Sequence, residues 1–358
     1  MSYAINWSNA KMTDENPIGL HGVDFIEYSG SEAGHFEKLF TSMGFSELAQ
    51  IPNKNIKLYR QGDINFILNC EAYTFASQFA KSHGPAATST GLRVADAEKA
   101  FNAAVKRGAR AYDGSQESRG ASPYPAIYGI GDSLIYFIDE KNHYDLYKNQ
   151  FQLASIENYP VGLGLRYIDH FTNNVPVGEM QKWCDFYDKV LAFKEARYFD
   201  IKGKSTGLIS KVMKSPCGRF SVPINEPSDG KSQIQEYLDE YKGSGIQHIA
   251  LTTNDIIQTL ENLKTNKVEF LNPPPATYYQ LLKERLPQVS EDIEKLIRNA
   301  ILVDGDSSGY LLQIFSKNVI GPIFYEVIQR KGHQGFGEGN FQALFDAIEA
   351  DQRERGYL

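Results

Sequence analysis

Cysteine is scarce in this chain: three among 358 residues, Cys70, Cys184 and Cys217. They lie too far apart for a C-x-x-C metal site and are too few for a disulfide framework, and they suit a reducing cytoplasm. Long apolar runs are missing too. No stretch of about 18 apolar residues is present, so no membrane-spanning helix is expected. The start, Met1 to Pro17, is polar and carries no apolar core of signal-peptide length, which adds to the expectation of a cytoplasmic protein. Positive charge is in short supply: 37 Lys plus Arg stand against 44 Asp plus Glu, a formal charge of -7, with no basic run. A polyphosphate would repel such a chain, so no nucleic-acid partner is expected. Aromatic residues, by contrast, are plentiful, and 21 Phe and 21 Tyr suit a large core and the walls of a pocket for an aromatic ligand.

At a soft ~150 residues per domain, the length suggests two domains. Four segments share one plan: a strand, an amphipathic helix, then further strands. They begin at Gly22 to Tyr28, Thr88 to Val94, Tyr167 to Thr172 and Ile246 to Leu251. Their helices carry Phe36, Leu39, Phe40 and Met43; Ala97, Ala100, Phe101 and Val105; Met180, Trp183, Tyr187, Val190 and Leu191; and Ile256, Ile257, Leu260 and Leu263. Strand-like runs follow, among them Ile56 to Tyr59, Ile64 to Asn69, Leu134 to Ile138, Tyr310 to Phe315 and Ile323 to Gln329. The expectation is an α+β protein of four βαβββ modules, paired into two half-open mixed β-barrel domains with the helices outside. Lys141 to Pro160, polar and without clear periodicity, is the linker candidate. The boundaries expected are a polar extension over 1–16, a first domain over 17–155 and a second over 156–358.

Three polar residues sit on apolar strand faces. Glu326 falls between Phe324 and Ile328, His248 between Ile246 and Ala250, and His170 between Ile168 and Thr172. A buried carboxylate is paired, protonated or metal-bound, since burying it bare is costly. A single strand histidine is ordinarily a hydrogen-bonded core residue. Two histidines at matching places in modules three and four, with a carboxylate on the last strand of module four, point instead to a metal site of two imidazoles and one carboxylate with open positions. On spacing and facing alone, Fe(II) for a chelating substrate and O2, and Zn(II) for hydrolysis, both remain open. In modules one and two the corresponding places hold Phe25, Ser89 and, near the Glu326 place, Phe137, so no metal is expected in the first half.

Two motifs invite other readings. Gly203-Lys204-Ser205-Thr206-Gly207 matches G-x-S-x-G, but Leu208 to Val212 behind it reads as a strand rather than the long helix of a nucleophile elbow, so a hairpin turn is expected. Gly335-Phe336-Gly337-Glu338-Gly339 is not the G-x-G-x-x-G of a dinucleotide fold. After it, Asn340 is placed to cap a helix carrying Phe341, Leu344, Phe345 and Ile348; on the pattern alone it is either a docked C-terminal core helix or, hinged at the glycines, a helix that closes over a pocket, and both remain open.

The second half resembles the 4-hydroxyphenylpyruvate dioxygenases of the vicinal-oxygen-chelate superfamily. The resemblance is carried by Ile168-Asp169-His170, Arg197-Tyr198-Phe199, Pro223-Ile224-Asn225-Glu226-Pro227, Ser232-Gln233-Ile234-Gln235, Gly245-Ile246-Gln247-His248, the Pro273 to Tyr279 string, Ile301 to Asp304, Leu311 to Phe315 and Gly335 to Phe341, in family order. Asn16 to Leu20 and Leu58 to Gly62 extend it more loosely into the first half. It implies one Fe(II) per subunit on His170, His248 and Glu326, with 4-hydroxyphenylpyruvate and O2 as substrates and homogentisate and CO2 as products. The steps implied are oxidative decarboxylation, ring hydroxylation and side-chain migration, as in tyrosine catabolism. By position it implies substrate contacts from Ser210, Asn225, Gln233, Gln247, Gln313, Phe315, Phe324, Phe336, Asn340 and Phe341, with catalytic roles for Gln233, Gln247 and Phe324. A homo-oligomer, dimer or tetramer, is expected. Hydroxymandelate synthase, which shares substrate and iron, is similar as well, but expects a smaller aliphatic residue at Phe324 and threonine at Pro223. A metal-free binding protein on the same fold and a zinc hydrolase are the readings from other classes; the first lacks the three ligands and the second predicts activity without O2.

Overall fold

The computed structural model describes residues 5–114, 123–202, 206–272, 274 and 276–357, with their side chains except those at 276, 277, 338, 341, 342, 344, 346, 347, 351 and 354. The first half runs β1 (Leu20–Ser29), α1 (Ala33–Ser42), β2 (Ser46–Gln50), β3 (Ile56–Gln61), β4 (Ile64–Asn69), α2 (Phe75–His83), β5 (Ala86–Val94), α3 (Ala97–Lys106), β6 (Ala126–Tyr128) and β7 (Leu134–Ile138). These strands form one seven-stranded sheet in the order β2-β3-β4-β1-β5-β7-β6. After β7 the chain is helical again in α4 (Glu140–Tyr144), continued by a π-helical turn over Asp145–Gln150.

The second half repeats the plan with β8 (Leu165–Asn174), α5 (Met180–Leu191), β9 (Lys194–Lys202), β10 (Gly207–Lys214), β11 (Ser221–Pro227), α6 (Gln233–Tyr241), β12 (Gly245–Thr253) and α7 (Ile256–Thr265). Three short helices follow, α8 (Ala276–Gln280), α9 (Leu282–Arg285) and α10 (Ile293–Asn299), then β13 (Leu302–Asp306), β14 (Gly309–Phe315), β15 (Phe324–Lys331) and α11 (Phe341–Glu354). The eight strands run β13-β14-β15-β12-β8-β11-β10-β9. In each half two antiparallel strands sit at the centre, β1 with β5 and β8 with β12, and each of them pairs in parallel with the last strand of its own module. That is the expected α+β module architecture.

The helices form where apolar residues recur at helical spacing, and side chains cap them. Asp96 accepts from the Lys99 N–H at the start of α3, and Asp255 from the Gln258 N–H at the start of α7. One continuous apolar cluster runs through both halves. Phe66 of the first sheet stacks on Tyr325 of the second at 5.9 Å, and the Tyr325 hydroxyl donates to that of Tyr28 at 2.9 Å. Backbone bonds join the halves as well, from the Gly62 N–H to the Pro160 carbonyl and from the Asp63 N–H to the Arg166 carbonyl.

Three expectations need correction. The first part of Lys141 to Pro160 is helix, not linker. Asp139 caps α4 through the Asn142 N–H, and the Phe151 N–H bonds the Leu146 carbonyl five residues back, so the buried Leu146 and Phe151 follow a spacing that a 3.6-residue period misses. In module two, among the described residues, two strands follow the helix, with a single bridge at Ala111 to Ile127 where a third was expected. Register also places Tyr136, not Phe137, at the Glu326 position: Gly91 pairs with Tyr136 as Ala250 pairs with Glu326. A slip of one residue turns a strand side chain to the other face. Gly203 to Ser205 of the G-x-S-x-G string lie outside the described residues; β9 and β10 on either side pair antiparallel, and Leu208 to Val212 lie in β10. Among the described residues no helix is long and apolar enough to cross a membrane.

Candidate metal centre and substrate cavity

The site grows out of strand register. Across the middle of the second sheet, Phe315 pairs with Glu326, Glu326 with Ala250, and Ala250 with His170, so all four side chains share a face. Two strand spacings, about 10 Å, separate the Glu326 and His170 backbones. Only a methyl group stands between them, so both long side chains lean over Ala250 and meet. One step along, Phe324 pairs with His248 and His248 with Thr172. The ligand atoms of His170, His248 and Glu326 lie within 4.8 Å of one another, and all three residues are buried. His170 Nε2 is 3.2 Å and His248 Nε2 3.6 Å from Glu326 Oε2.

Each imidazole is oriented from behind. His170 Nδ1 donates to Asp169 Oδ1 at 2.8 Å, and Asp169 holds Arg330 in a fork, with Nε to Oδ2 at 2.7 Å and Nη2 to Oδ1 at 2.8 Å. Arg330 in turn donates to the Gly335 and His333 carbonyls, tying His170 through Asp169 to the loop before α11. His248 Nδ1 donates to Gln247 Oε1 at 3.0 Å. Both bonds turn Nε2 toward the centre of the trio, where a metal would take its lone pair in exchange for any proton held there. Burial works against charge on Asp169, but the Arg330 and His170 bonds hold its carboxyl well below the usual range. Burial also opposes charge on His170; Glu326 and Asp169 outweigh it and hold that imidazole up at about 9. Burial, reinforced by the charge on His170, pushes His248 far below the ordinary histidine value.

The trio fits a divalent cation. Two neutral-capable imidazole nitrogens and a carboxylate oxygen converge, and Glu326 Oε1 is buried with no hydrogen-bond partner among the described residues. An orphaned carboxylate oxygen in an apolar surround costs free energy that a cation would recover.

The trio opens on a cavity of about 70 Å³, which touches Ser210, Asn225, Gln233, Gln247, Gln313, Phe315, Phe324 and Phe336 among the expected residues. Ser210 and Asn225 are cross-strand partners on β10 and β11. Gln247 faces the cavity beside its neighbour His248, although alternation would point it away. A register shift between Ile246 and His248 makes it the extra residue of a bulge, which re-aims it. Phe324 stacks on the His248 ring at 4.9 Å, and Phe336 meets the His170 ring at 5.4 Å. Asn340 does not line the cavity; it is fully buried, its Nδ2 donating to Gln313 Oε1 at 3.2 Å and its Oδ1 accepting from the Tyr278 hydroxyl at 2.5 Å. The Phe341 side chain lies outside the described ones. Gly337, at φ +79°, explains the glycine string: a Cβ there would collide with Gln313 Oε1.

The sequence pattern singled out neither Thr172, whose hydroxyl lies 3.0 Å from His248 Nε2, nor the Asp169–Arg330 pair, nor the walls Ile201, Leu208 and Val212. Alternation about His170 puts Thr172 on its face; Arg330, distant in sequence from Asp169, left no local signal. Phe345 and Ile348 of α11 close one side, and a second cavity of about 340 Å³ continues outward past Gln233, Gln247, Phe324 and Ile348 toward Arg355.

Residues 14–152 match the family described as hydroxyphenylpyruvate dioxygenase, N-terminal, and residues 167–313 the glyoxalase/bleomycin resistance protein/dioxygenase superfamily. The chain is 46% identical over 351 residues to a 4-hydroxyphenylpyruvate dioxygenase of Legionella pneumophila (strain Corby), covering 97% of this chain and 99% of that one. It is 44% identical to the enzyme of that name from Pseudomonas aeruginosa, covering 98% and 99%. Protein MelA of Shewanella colwelliana is 48% identical, covering 97% and 99%. Among solved structures, a xylose isomerase-like TIM barrel/4-hydroxyphenylpyruvate dioxygenase fusion protein superposes with a TM-score of 0.79 at 29% identity, covering 92% of this chain and 52% of that one. A mutant of 4-hydroxymandelate synthase from Streptomyces coelicolor shares the fold, with a TM-score of 0.78 at 22% identity over 93% and 99%.

Proposed function

The chain belongs to the 4-hydroxyphenylpyruvate dioxygenase family, and on that premise we propose that it converts 4-hydroxyphenylpyruvate and O2 to homogentisate and CO2, with one Fe(II) held by His170, His248 and Glu326, in tyrosine catabolism. The observation that carries the reading is the buried group of two imidazoles and one carboxylate at the end of an aromatic-walled cavity. Bound there, iron would supply a redox-active Lewis acid with open positions for a chelating keto acid and for O2.

The protein's own groups do the rest. Asp169 and Gln247 fix the tautomers of the two imidazoles, so that each offers its Nε2. The amides of Gln233, Gln247, Gln313 and Asn225 and the Ser210 hydroxyl are uncharged donors and acceptors, able to hold a phenol hydroxyl in one orientation without ionising it. Phe315, Phe324 and Phe336 bracket the aromatic ring, and with Phe345 and Ile348 they keep water from the reacting carbons. Asn340 holds Gln313 from behind. α11 is the moving part: it hinges at the 335–339 glycines and swings out to admit substrate. Within this reading residues 17–155 are a domain without metal and residues 156–358 the catalytic domain. Among the described residues only the second half gathers a metal-ligand trio.

The test is reconstitution with Fe(II) under argon, followed by turnover of 4-hydroxyphenylpyruvate in air with product identification by mass spectrometry. Homogentisate is expected, with O2 uptake equal to CO2 release. His248→Ala and Glu326→Ala should lose both iron and turnover. Full activity in either variant, or product formed without O2, would refute the assignment.

A further inference from the structure

The register that builds the metal site also builds a second hollow, in the first half. Phe25 pairs with Gly91 and Gly91 with Tyr136, while Glu27 pairs with Ser89. Laid over the second half, Phe25 takes the place of His170, Tyr136 that of Glu326, Ser89 that of His248 and Glu27 that of Thr172. The imidazoles are gone, but the space remains as a cavity of about 330 Å³, within the ~300–1,000 Å³ range of small-molecule pockets.

Its lining has three zones. The walls are apolar and aromatic: Phe25, Ile56, Ile67, Leu146 and Phe151. The Phe25 ring lies across Gly91, where a Cβ would meet ring carbons at 2.5 and 2.6 Å, so glycine is needed to admit the ring. The floor is polar. The Glu27 carboxyl accepts from Asn69 Nδ2 at 2.7 Å and Ser89 Oγ at 2.5 Å, and among the described residues no cation pairs with it. Burial accordingly pushes its pKa up, toward the neutral acid. Tyr136, only 3% exposed, reaches the same floor with a hydroxyl that makes no hydrogen bond among the described residues. At the mouth stands Lys54, exposed and without a carboxylate partner among the described residues.

We propose that this cavity binds a small aryl carboxylic acid bearing a phenolic hydroxyl, its ring against Phe25, Tyr136 and Phe151, its hydroxyl on the Glu27–Tyr136 floor and its carboxylate at Lys54. The floor holds a carboxyl group and, among the described residues, no cation, so the ligand's negative charge belongs at the lysine end. A metal is not the occupant, since Glu27 stands among Phe25, Ser89 and Tyr136 without a second strong ligand. The proposal is independent of the iron reading, because it concerns another sheet and another set of residues.

The probe is 4-hydroxyphenylacetate, which lacks the keto oxygen needed to chelate a metal, titrated by calorimetry into the full-length, iron-loaded enzyme. Wild type, Tyr136→Phe and Lys54→Ala are compared, with thermal melts to show that each is folded. A binding component is expected that weakens about three- to tenfold in each variant, the loss of one hydrogen bond or one charge contact, while keto-acid turnover at low substrate stays at the wild-type rate. Lys54 is exposed, so its variant isolates the contact from the fold. No binding to wild type, or isotherms unchanged in both variants, overturns the proposal. So does a loss of turnover that tracks the loss of probe, because that places the probe in the second half.

Discussion

Asp169→Asn tests how the fold orients His170, one of the three residues proposed to hold iron. Both oxygens of Asp169 are used: Oδ1 accepts from His170 and from Arg330, and Oδ2 from Arg330 again. Asparagine keeps the shape and one acceptor but loses the charge and the second acceptor. Arg330, mostly buried, is left with two backbone carbonyls and no counter-ion. Breaking such a pair costs about 3–5 kcal/mol. At the metal, loss of the group that orients a ligating imidazole lowers affinity about 10–100-fold, or roughly 1.4–2.8 kcal/mol. The two losses are read separately: stability by denaturant unfolding of the metal-free protein, and affinity by anaerobic Fe(II) titration against a competing chelator. Iron binding at wild-type affinity in a folded Asp169→Asn enzyme would refute the claim that this carboxylate positions His170. Unchanged unfolding free energy would refute the claim that the pair is buried and mutually dependent.

Phe324→Ile removes the ring stacked on His248 and opens space beside the substrate side chain, so the product mixture should shift toward hydroxymandelate; an unchanged ratio by mass spectrometry counts against a steering role. Asp24, on β1 in the middle of the first sheet, is bonded to Arg93, His143 and Tyr147; burial opposes its charge, yet His143, Arg93 and Tyr147 hold its carboxyl far below the usual range. A depressed carboxylate contributes stability that is full above its unfolded value near ~3.9 and is lost as pH falls toward the folded value. The Asp24→Asn protein should therefore be about 3–5 kcal/mol less stable at neutral pH and show a flatter acid limb below about pH 4; parallel acid-unfolding curves would contradict this. Glu349 on α11 is buried and accepts from the Thr206 N–H and hydroxyl, both at 3.0 Å. Glu349→Ala should weaken helix docking by about 1–3 kcal/mol and speed limited proteolysis around residues 335–340, with the global melting temperature little changed; equal cleavage rates would show that the contact does not hold the helix.

Much of the site was legible in the chain alone. His170, His248 and Glu326 are conspicuous because strands are period-two objects: a titratable residue on an apolar face has to be paired, neutralised or ligated. Their places in repeated modules gave the reason to join them, and the order of motifs along the second half carried the resemblance to a dioxygenase family. The four-module plan was legible for the same reason, since each helix shows its buried stripe, as in α5 with Met180, Tyr187, Val190 and Leu191. The π-turn after α4 was not, because its five-residue spacing is longer than both the 3.6-residue period of a helix and the two-residue period of a strand.

Sequence by itself thus determined the local periods, the two-half organisation and the choice of His170, His248 and Glu326 as a trio that the fold brings together. Register and closure belong to tertiary structure alone. Only the pairing of β12 with β8 and β15 shows that Ala250 is the gap over which Glu326 and His170 meet and that a bulge turns Gln247 inward, and only the pairing of β5 with β7 shows that Tyr136 rather than Phe137 stands in the matching place of the first sheet. Arg330 finds Asp169 across 161 residues of chain. The physical reason is the same in each case: a strand's own pattern says which residues share a face, but only its hydrogen-bonded neighbours say which residue stands opposite.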